Sequence, residues 1–505
     1  MAESSGSARW LHGPVPDLLL GCGLIYAVYF AAALYAGPQI REVAPETLLA
    51  LGTLVLGAPH YGATLLRVYE DGKDRREYRF FGTWASLLVA VVFAIGVYDV
   101  RVGSWMLTLY LSWSPWHYSG QNYGIAAMFL GRRGVPISKL AKRCLHATFQ
   151  LSWAMVLLAI HSAVPSASYA PVELAASDYV FIPLGIPTAV AAPLLLLTAI
   201  TYLVASAIAI ALMRQAAGWR DLLPTLALML VQAFWFSIPV LARATATGTD
   251  LDPFDPRYAD YTFYWIAFGH FIQYLWVTVY FAKSAGSARS SARYLGKSLL
   301  VGSAIWGAPL ALFAPEVLGV RAFDAGLGVL IASAVNIHHF ILDGAIWKLR
   351  KGAIARILLR AQRADAEPAL AGSRFGRIRW MPLVLAVGLA SALGNLVGTL
   401  EAEFGFRRAA LASDLERLKT AAARLRWVGR DPPALHTQIA LFEARAGRLA
   451  EAIREVERSL ALQSTAESWT LLGELHARNG DAAASRLAHR RARELQSGSE
   501  SRPRR

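Results

Sequence analysis

Eleven stretches of predominantly apolar residues follow one another along the first 404 residues, with soft limits at 17–37, 46–66, 80–98, 104–130, 144–165, 182–213, 222–242, 261–282, 298–319, 323–347 and 380–402. About 20 such residues cross a bilayer core as a helix. In lipid every backbone polar group must be paired within the segment, so helices are the form these stretches can take. The loops between them alternate in charge. Those at 67–79, 132–143, 283–297 and 348–379 are rich in Lys and Arg, whereas 38–45, 99–103, 166–181 and 320–322 are poor in them and 243–260 is acidic. Basic loops stay on the cytoplasmic side. Eleven spans put every basic loop on one side, the N-terminus inside and everything after Phe404 outside.

Composition agrees with this. The chain of 505 residues is 55% hydrophobic and 17% charged, below the roughly 25% charged of soluble domains. Its formal charge of +15 lies largely in short loops, which points to orientation and membrane lipids rather than nucleic acid. Cys22 and Cys144 lie in or beside apolar segments and imply no disulfide framework. The first apolar stretch has no cleavage pattern before it and reads as a retained span. The fold class expected is all-α: a polytopic membrane domain of about 11 transmembrane helices over 1–404, then a helical repeat domain over 405–496 and a disordered basic tail over 497–505. The location expected is a bacterial inner membrane, with the C-terminal domain extracytoplasmic. The basic, partly amphipathic segment 351–378 is expected on the inner membrane surface.

The tail changes character at Arg407, becoming rich in Ala, Arg, Leu and Glu. Trp469-x2-Leu472-Gly473-x2-His476 followed by Gly480-Asp-Ala-Ala-Ala484 looks like a tetratricopeptide repeat. Gly447-Arg-Leu-Ala-Glu-Ala452 repeats the pattern 33 residues earlier, close to the usual period of about 34. Such repeats bind a protein partner through a concave face.

Against this apolar background, five histidines stand out. His60, His117, His270 and the pair His338-His339 lie inside spans 2, 4, 8 and 10, each among polar neighbours. An ionisable side chain at bilayer depth is costly and seldom lacks a partner. All four spans run outside to inside, and the histidines precede the first inner basic residue by 7, 15, 13 and 10 residues. That spread is about 12 Å along a helix, so the four can share one layer. Neutral imidazole is a good ligand for Fe, Zn or Cu, and an all-histidine set without thiolate argues against a structural zinc site. The metal ligands expected are His60, His117, His270 and either His338 or His339. Gln121, Gln273 and Asp343 are candidates for orienting them, together with Asn122 and Asn336. The bland alternative for each histidine is an interhelical hydrogen bond. His146 and His161 are read that way, and His12, His436, His476 and His489 carry no functional expectation.

Four segments carry a resemblance: Pro59-His60-Tyr61-Gly62, Trp116-His117-Tyr118-Ser119-Gly120-Gln121, Phe268-Gly269-His270, and His338-His339-Phe-Ile-Leu-Asp343. They resemble the membrane β-carotene dioxygenases of bacteria and archaea (the Brp/Blh type). The resemblance implies histidine-ligated Fe(II) and oxidative cleavage of a carotenoid. It covers these short segments only. Tyr61 is inserted before Gly62, and Tyr274 stands where the family has a second histidine after His270. The family has no counterpart of the repeat tail. The functional expectation is a non-haem iron oxygenase acting on an apolar small-molecule substrate. The alternative is a non-enzymatic scaffold or transport-like protein whose buried polar residues line a pathway and whose tail binds a protein.

Overall fold

The computed structural model describes residues 9–36, 50–70, 76–162, 177–245, 259–315, 317–347, 354, 357–359 and 380–500. Among these the chain is all-helical, with one isolated bridge between Ser162 and Ile186. The membrane-type part comprises α1 (Leu24–Ala36), α2 (Ala58–Tyr69), α3 (Phe80–Tyr98), α4 (Val100–Arg132), α5 (Lys139–His161), α6 (Thr188–Ala216), α7 (Trp219–Leu241), α8 (Ala259–Ser284), α9 (Ser291–Leu312), α10 (Phe323–Ile346) and α11 (Met381–Leu400). Seven helices are long and apolar enough to cross a membrane: α3, α5, α6, α7, α9, α10 and α11 with its extension to Ala412.

The other four candidate stretches are the ones that carry polar residues or breaks. The first is interrupted at Cys22-Gly23, where Gly23 takes φ 75° between a π-helical turn at Asp17–Gly21 and α1. Asp17 is fully buried and accepts from the Leu11 and His12 amides and from Trp276 Nε1. The second is a π-helical turn, Thr53–Gly57, running into α2. Such turns re-aim side chains within a helix. The fourth and eighth stretches become α4, 33 residues long with Pro115 inside, and α8, 26 residues long. Of the loops read for charge, most of 38–45, 166–181 and 243–260, and the 351–378 segment apart from Ile354 and 357–359, lie outside the described residues.

Small residues set the closest helix approaches. A Cβ on Gly62 would overlap the Ser298 carbonyl, one on Gly302 the Ala58 carbonyl, and one on Gly388 the Leu300 carbonyl. Glycine lets backbones meet where hydrophobicity gives no drive between helices in lipid. These contacts clamp α2 to α9 and α9 to α11. Burial separates the helices by role: α10 is mostly buried, whereas α3, α6 and α11 expose most of their surface. A rim of apolar helices therefore surrounds an inner set of α2, α4, α8 and α10.

The tail holds α12 (Leu415–Trp427), α13 (Pro433–Arg445), α14 (Leu449–Leu462), α15 (Ala466–Arg478) and α16 (Ala482–Glu500). The last four form two antiparallel pairs whose turns, at Gly447 and Gly480, both need positive φ. Gly473 admits the His489 ring, which a Cβ would displace. The end of α16 continues through 497–500, and 501–505 lie outside the described residues. The tail rests on the membrane-type helices. Leu462 packs on Ala322 and Ala325, Arg430 covers the Phe323 ring at 4.4 Å, and Gln463 donates to Asp178 at 3.3 Å.

Candidate metal centre

His60, His117, His270 and His339 meet at the centre of the inner helix set. Ring centroids are 4.3 Å apart for His60–His339, 4.8 Å for His60–His270, 5.0 Å for His117–His270 and 5.1 Å for His117–His339. Each arrives for a local reason. Pro59 lies just after the π-helical turn, where the backbone hydrogen-bond ladder changes step at the head of α2, and His60 follows it. His117 follows Pro115 inside α4. His270 and His339 sit mid-helix on α8 and α10. Aromatic rings wall the group: Tyr118 stacks on His270 at 4.1 Å, Phe340 on His117 at 4.4 Å, and Phe271 lies 4.7 Å from His60.

Six ring nitrogens have no hydrogen-bond partner among the described residues: both of His60, both of His270, and Nε2 of His117 and of His339. His60 and His270 are fully buried. An unsatisfied buried polar group costs about 1–3 kcal/mol, and one open nitrogen from each of the four rings could be satisfied together by a single cation. The donor atoms of His60, His270 and His339 lie within 4.8 Å of one another, and so do those of His117, His339 and Asp343. Bare imidazole lone pairs converging with a carboxylate oxygen fit a metal ion.

Asp343 lies one turn after His339 and completes the set. Its Oδ2 is 3.5 Å from His339 Nε2 and 3.9 Å from His117 Nε2. Its Oδ1 accepts from Tyr274 at 2.7 Å and from Thr64 at 3.0 Å. Thr64 Oγ1 also lies 3.0 Å from His339 Nδ1. The threonine has one hydroxyl proton, which goes to Asp343, so it accepts from His339 Nδ1–H. That assignment leaves His339 Nε2 as a lone pair turned into the group. Trp347 Nε1 donates to the Tyr274 hydroxyl at 3.1 Å and closes the network.

His338 does not join. It turns to the other side of α10, where Nε2 meets Ser86 Oγ at 2.7 Å. Around it Tyr61, Thr64, Ile305, Val335 and His339 pack too closely to admit a water. The 338/339 alternative therefore falls to His339 as the member of the group. Gln121 and Gln273 lie beside the centre without touching an imidazole nitrogen: Gln121 Nε2 donates to the His270 carbonyl at 3.2 Å and to Gln273 Oε1 at 3.0 Å. Asn122 donates to Gln232, and Asn336 accepts from Tyr61. His161 joins Ser112 to the Leu184 amide, and His146 packs on Tyr123. The orienting roles fall instead to Thr64, Tyr274 and Trp347. Two of these carry a sequence signal, since Thr64 and Tyr274 each follow a clustered histidine by one helical turn. Trp347 carries none, since it is the residue that follows α10.

No family model, curated protein or solved structure matches this chain.

Proposed function

We propose that the chain is a polytopic membrane oxygenase whose intramembrane centre holds iron through His60, His117, His270 and His339, with Asp343 beside them. The observation that carries this reading is the convergence of four buried imidazoles, each with an unpartnered ring nitrogen, on one carboxylate. Iron bound there supplies redox chemistry with O2. The protein's own residues do the rest. Thr64 and Tyr274 hold Asp343 and fix the His339 tautomer, while Tyr118, Phe271 and Phe340 exclude water. The substrate is lipophilic, carotenoid- or lipid-like, in keeping with the aromatic walls around the four imidazoles. The likeness of the four histidine segments to membrane carotenoid dioxygenases supports the same chemistry, with Tyr274 acting on Asp343 rather than on the metal.

The topology belonging to this proposal has eleven spans, the N-terminus cytoplasmic and the tail outside. α2, α4, α8 and α10 are then the inner spans, screened from lipid by the other apolar helices. The two antiparallel pairs α13–α14 and α15–α16, with turns 33 residues apart at Gly447 and Gly480, support a tetratricopeptide-like tail that binds a protein partner.

Metal analysis of the purified full-length protein tests the proposal. Iron bound in a fixed ratio, retained by His338→Ala and lost by His60→Ala and His339→Ala, is the expected result. Oxygen uptake on adding an apolar polyene should follow the iron. Protein that binds no metal, or binds only zinc and consumes no oxygen, overturns it. A transport-like scaffold is the second reading. In its favour are the Gln121–Gln273 pair and the Asn122–Gln232–Ser119 chain, which extend the polar region beyond what ligands require.

A further inference from the structure

The last membrane-type helix does not stop at Leu400. It continues as Glu401–Arg407 and Arg408–Ala412, turns at Ser413 with φ 56°, and α12 then runs back beside it. The pairing fixes the register. Gly405 faces Ala421, Glu401 pairs with Arg424 at 2.5 Å, and Gly398 faces Val428 and Arg430. Each turn down α12 is a turn back toward α11. The chain of the tail therefore returns past the first charged residue of the extension and ends against apolar helix. Val428 lies over Gly394, and Gly429 lies beside Leu310 near the end of α9.

Trp427 stands at that lowest point and is 84% exposed. A soluble helix gains nothing from a bare tryptophan. At the other end of α11, just before Met381, Trp380 is 68% exposed. The level of Trp427 is about nineteen residues along α11 from Trp380, or ~28 Å at roughly 1.5 Å per residue. That matches the ~30 Å hydrocarbon thickness. Between them α11 shows lipid-type surface, with Leu389 and Leu393 more than half exposed. Tryptophan at both edges of an apolar band is the signature of the two interfacial belts. One belt residue here comes from the tail.

We infer that Trp427 and the turn after it insert into the interfacial layer of the bilayer the chain spans, so that the tail is seated on lipid rather than carried free of it. The occupant of this surface is lipid, because Val428, next to Trp427, packs on Gly394 of the same helix that exposes Leu389 and Leu393. Exposed apolar side chains elsewhere on the hairpin differ in level. Leu411, 83% exposed, sits at the far end of the extension, about 17 Å beyond Leu400. This inference rests on reading the apolar helices as membrane spans and does not depend on the metal.

Spin labels at Trp427→Cys, Leu389→Cys and Leu411→Cys test it, in full-length Cys22→Ala/Cys144→Ala protein in lipid nanodiscs. Collision with dissolved oxygen is compared with collision with a water-soluble nickel chelate. Position 427 should favour oxygen severalfold, as position 389 does, and position 411 should favour the chelate. Chelate access at 427 equal to that at 411 overturns the inference. So does protection of 427 from both relaxants, which would mean a protein contact or a second copy. If position 389 also favours the chelate, the membrane reading itself falls. Trp427→Lys supplies a second readout: its tail should be cut by protease several times faster in nanodiscs, while an unchanged rate counts against seating on lipid.

Discussion

Two buried histidines in this molecule are handled in opposite ways. His339, in the inner helix set, has Nε2 turned toward other imidazoles and a carboxylate too distant for a hydrogen bond. His436, in the tail and 1% exposed, has both nitrogens taken: Nδ1 meets Glu455 at 2.6 Å and Nε2 meets Asp431 at 2.8 Å. Asp431 is further held by Arg426 and Arg458 at 3.2 Å each. Burial alone does not distinguish them. The partners do. A ring between two carboxylates is placed as an imidazolium tying two helices together, whereas a ring with an open nitrogen beside three others is placed as a metal ligand would be. The comparison makes the metal assignment testable, since each histidine should fail in its own way.

The largest effect separates the clustered histidines from their neighbour. His339→Ala should abolish stoichiometric metal binding, and His338→Ala, one residue away, should leave it intact; equal losses would dissolve the distinction drawn from geometry. Next comes the tail. His436→Ala removes the cation between Asp431 and Glu455, and breaking a buried pair in this way costs about 3 kcal/mol. Denaturant melts of the full chain should show it in the tail transition, with metal content unchanged. Below that stand Thr64→Val and Tyr274→Phe. Each leaves all four imidazoles in place and releases one hold on Asp343, so metal affinity should fall by about 10–100-fold. Competition with a graded chelator reads this directly, and affinity equal to wild type would mean that Asp343 needs no orientation.

The cluster was legible in the sequence because ionisable groups in apolar spans are rare, and because charge patterning placed the four at similar depth. The repeat period exposed the tail's helix pairs in the same way, through glycines that need positive φ. What stayed hidden is rotational. His338 and His339 differ by about 100° around one helix, and sequence spacing does not say which faces inward. Gln121 and Gln273 drew attention as polar residues near histidines, yet Gln121 donates to Gln273 and to a backbone carbonyl rather than to an imidazole. Thr64 and Tyr274 share a face with a clustered histidine, but only the packing of three helices shows that both reach one carboxylate. Trp427 is hidden for another reason: its meaning depends on a hairpin whose register only packing reveals.

The smallest effect is the one in which the two histidines respond to pH with opposite sign. Burial works against protonation of His436, but Asp431 and Glu455 overcome it and raise its pKa above the ordinary value. Its contribution to tail stability is then complete below the unfolded histidine value and disappears as pH rises through the higher folded one. Burial likewise works against ionisation of Asp431, and the paired His436 and Arg426 overcome it and lower that pKa. Its contribution holds above the unfolded carboxylate value and is lost as pH falls through the folded one. Tail stability should therefore pass through a maximum in mild acid. Metal affinity should move the other way across that range, because a ligand imidazole must give up its proton and acid competes with the ion. Melting the tail and titrating the metal at a series of pH values between 5 and 9 reads both signs in one protein. Tail stability that rises through neutral pH would break the imidazolium assignment of His436, and metal affinity that strengthens in acid would break the ligand assignment of His339.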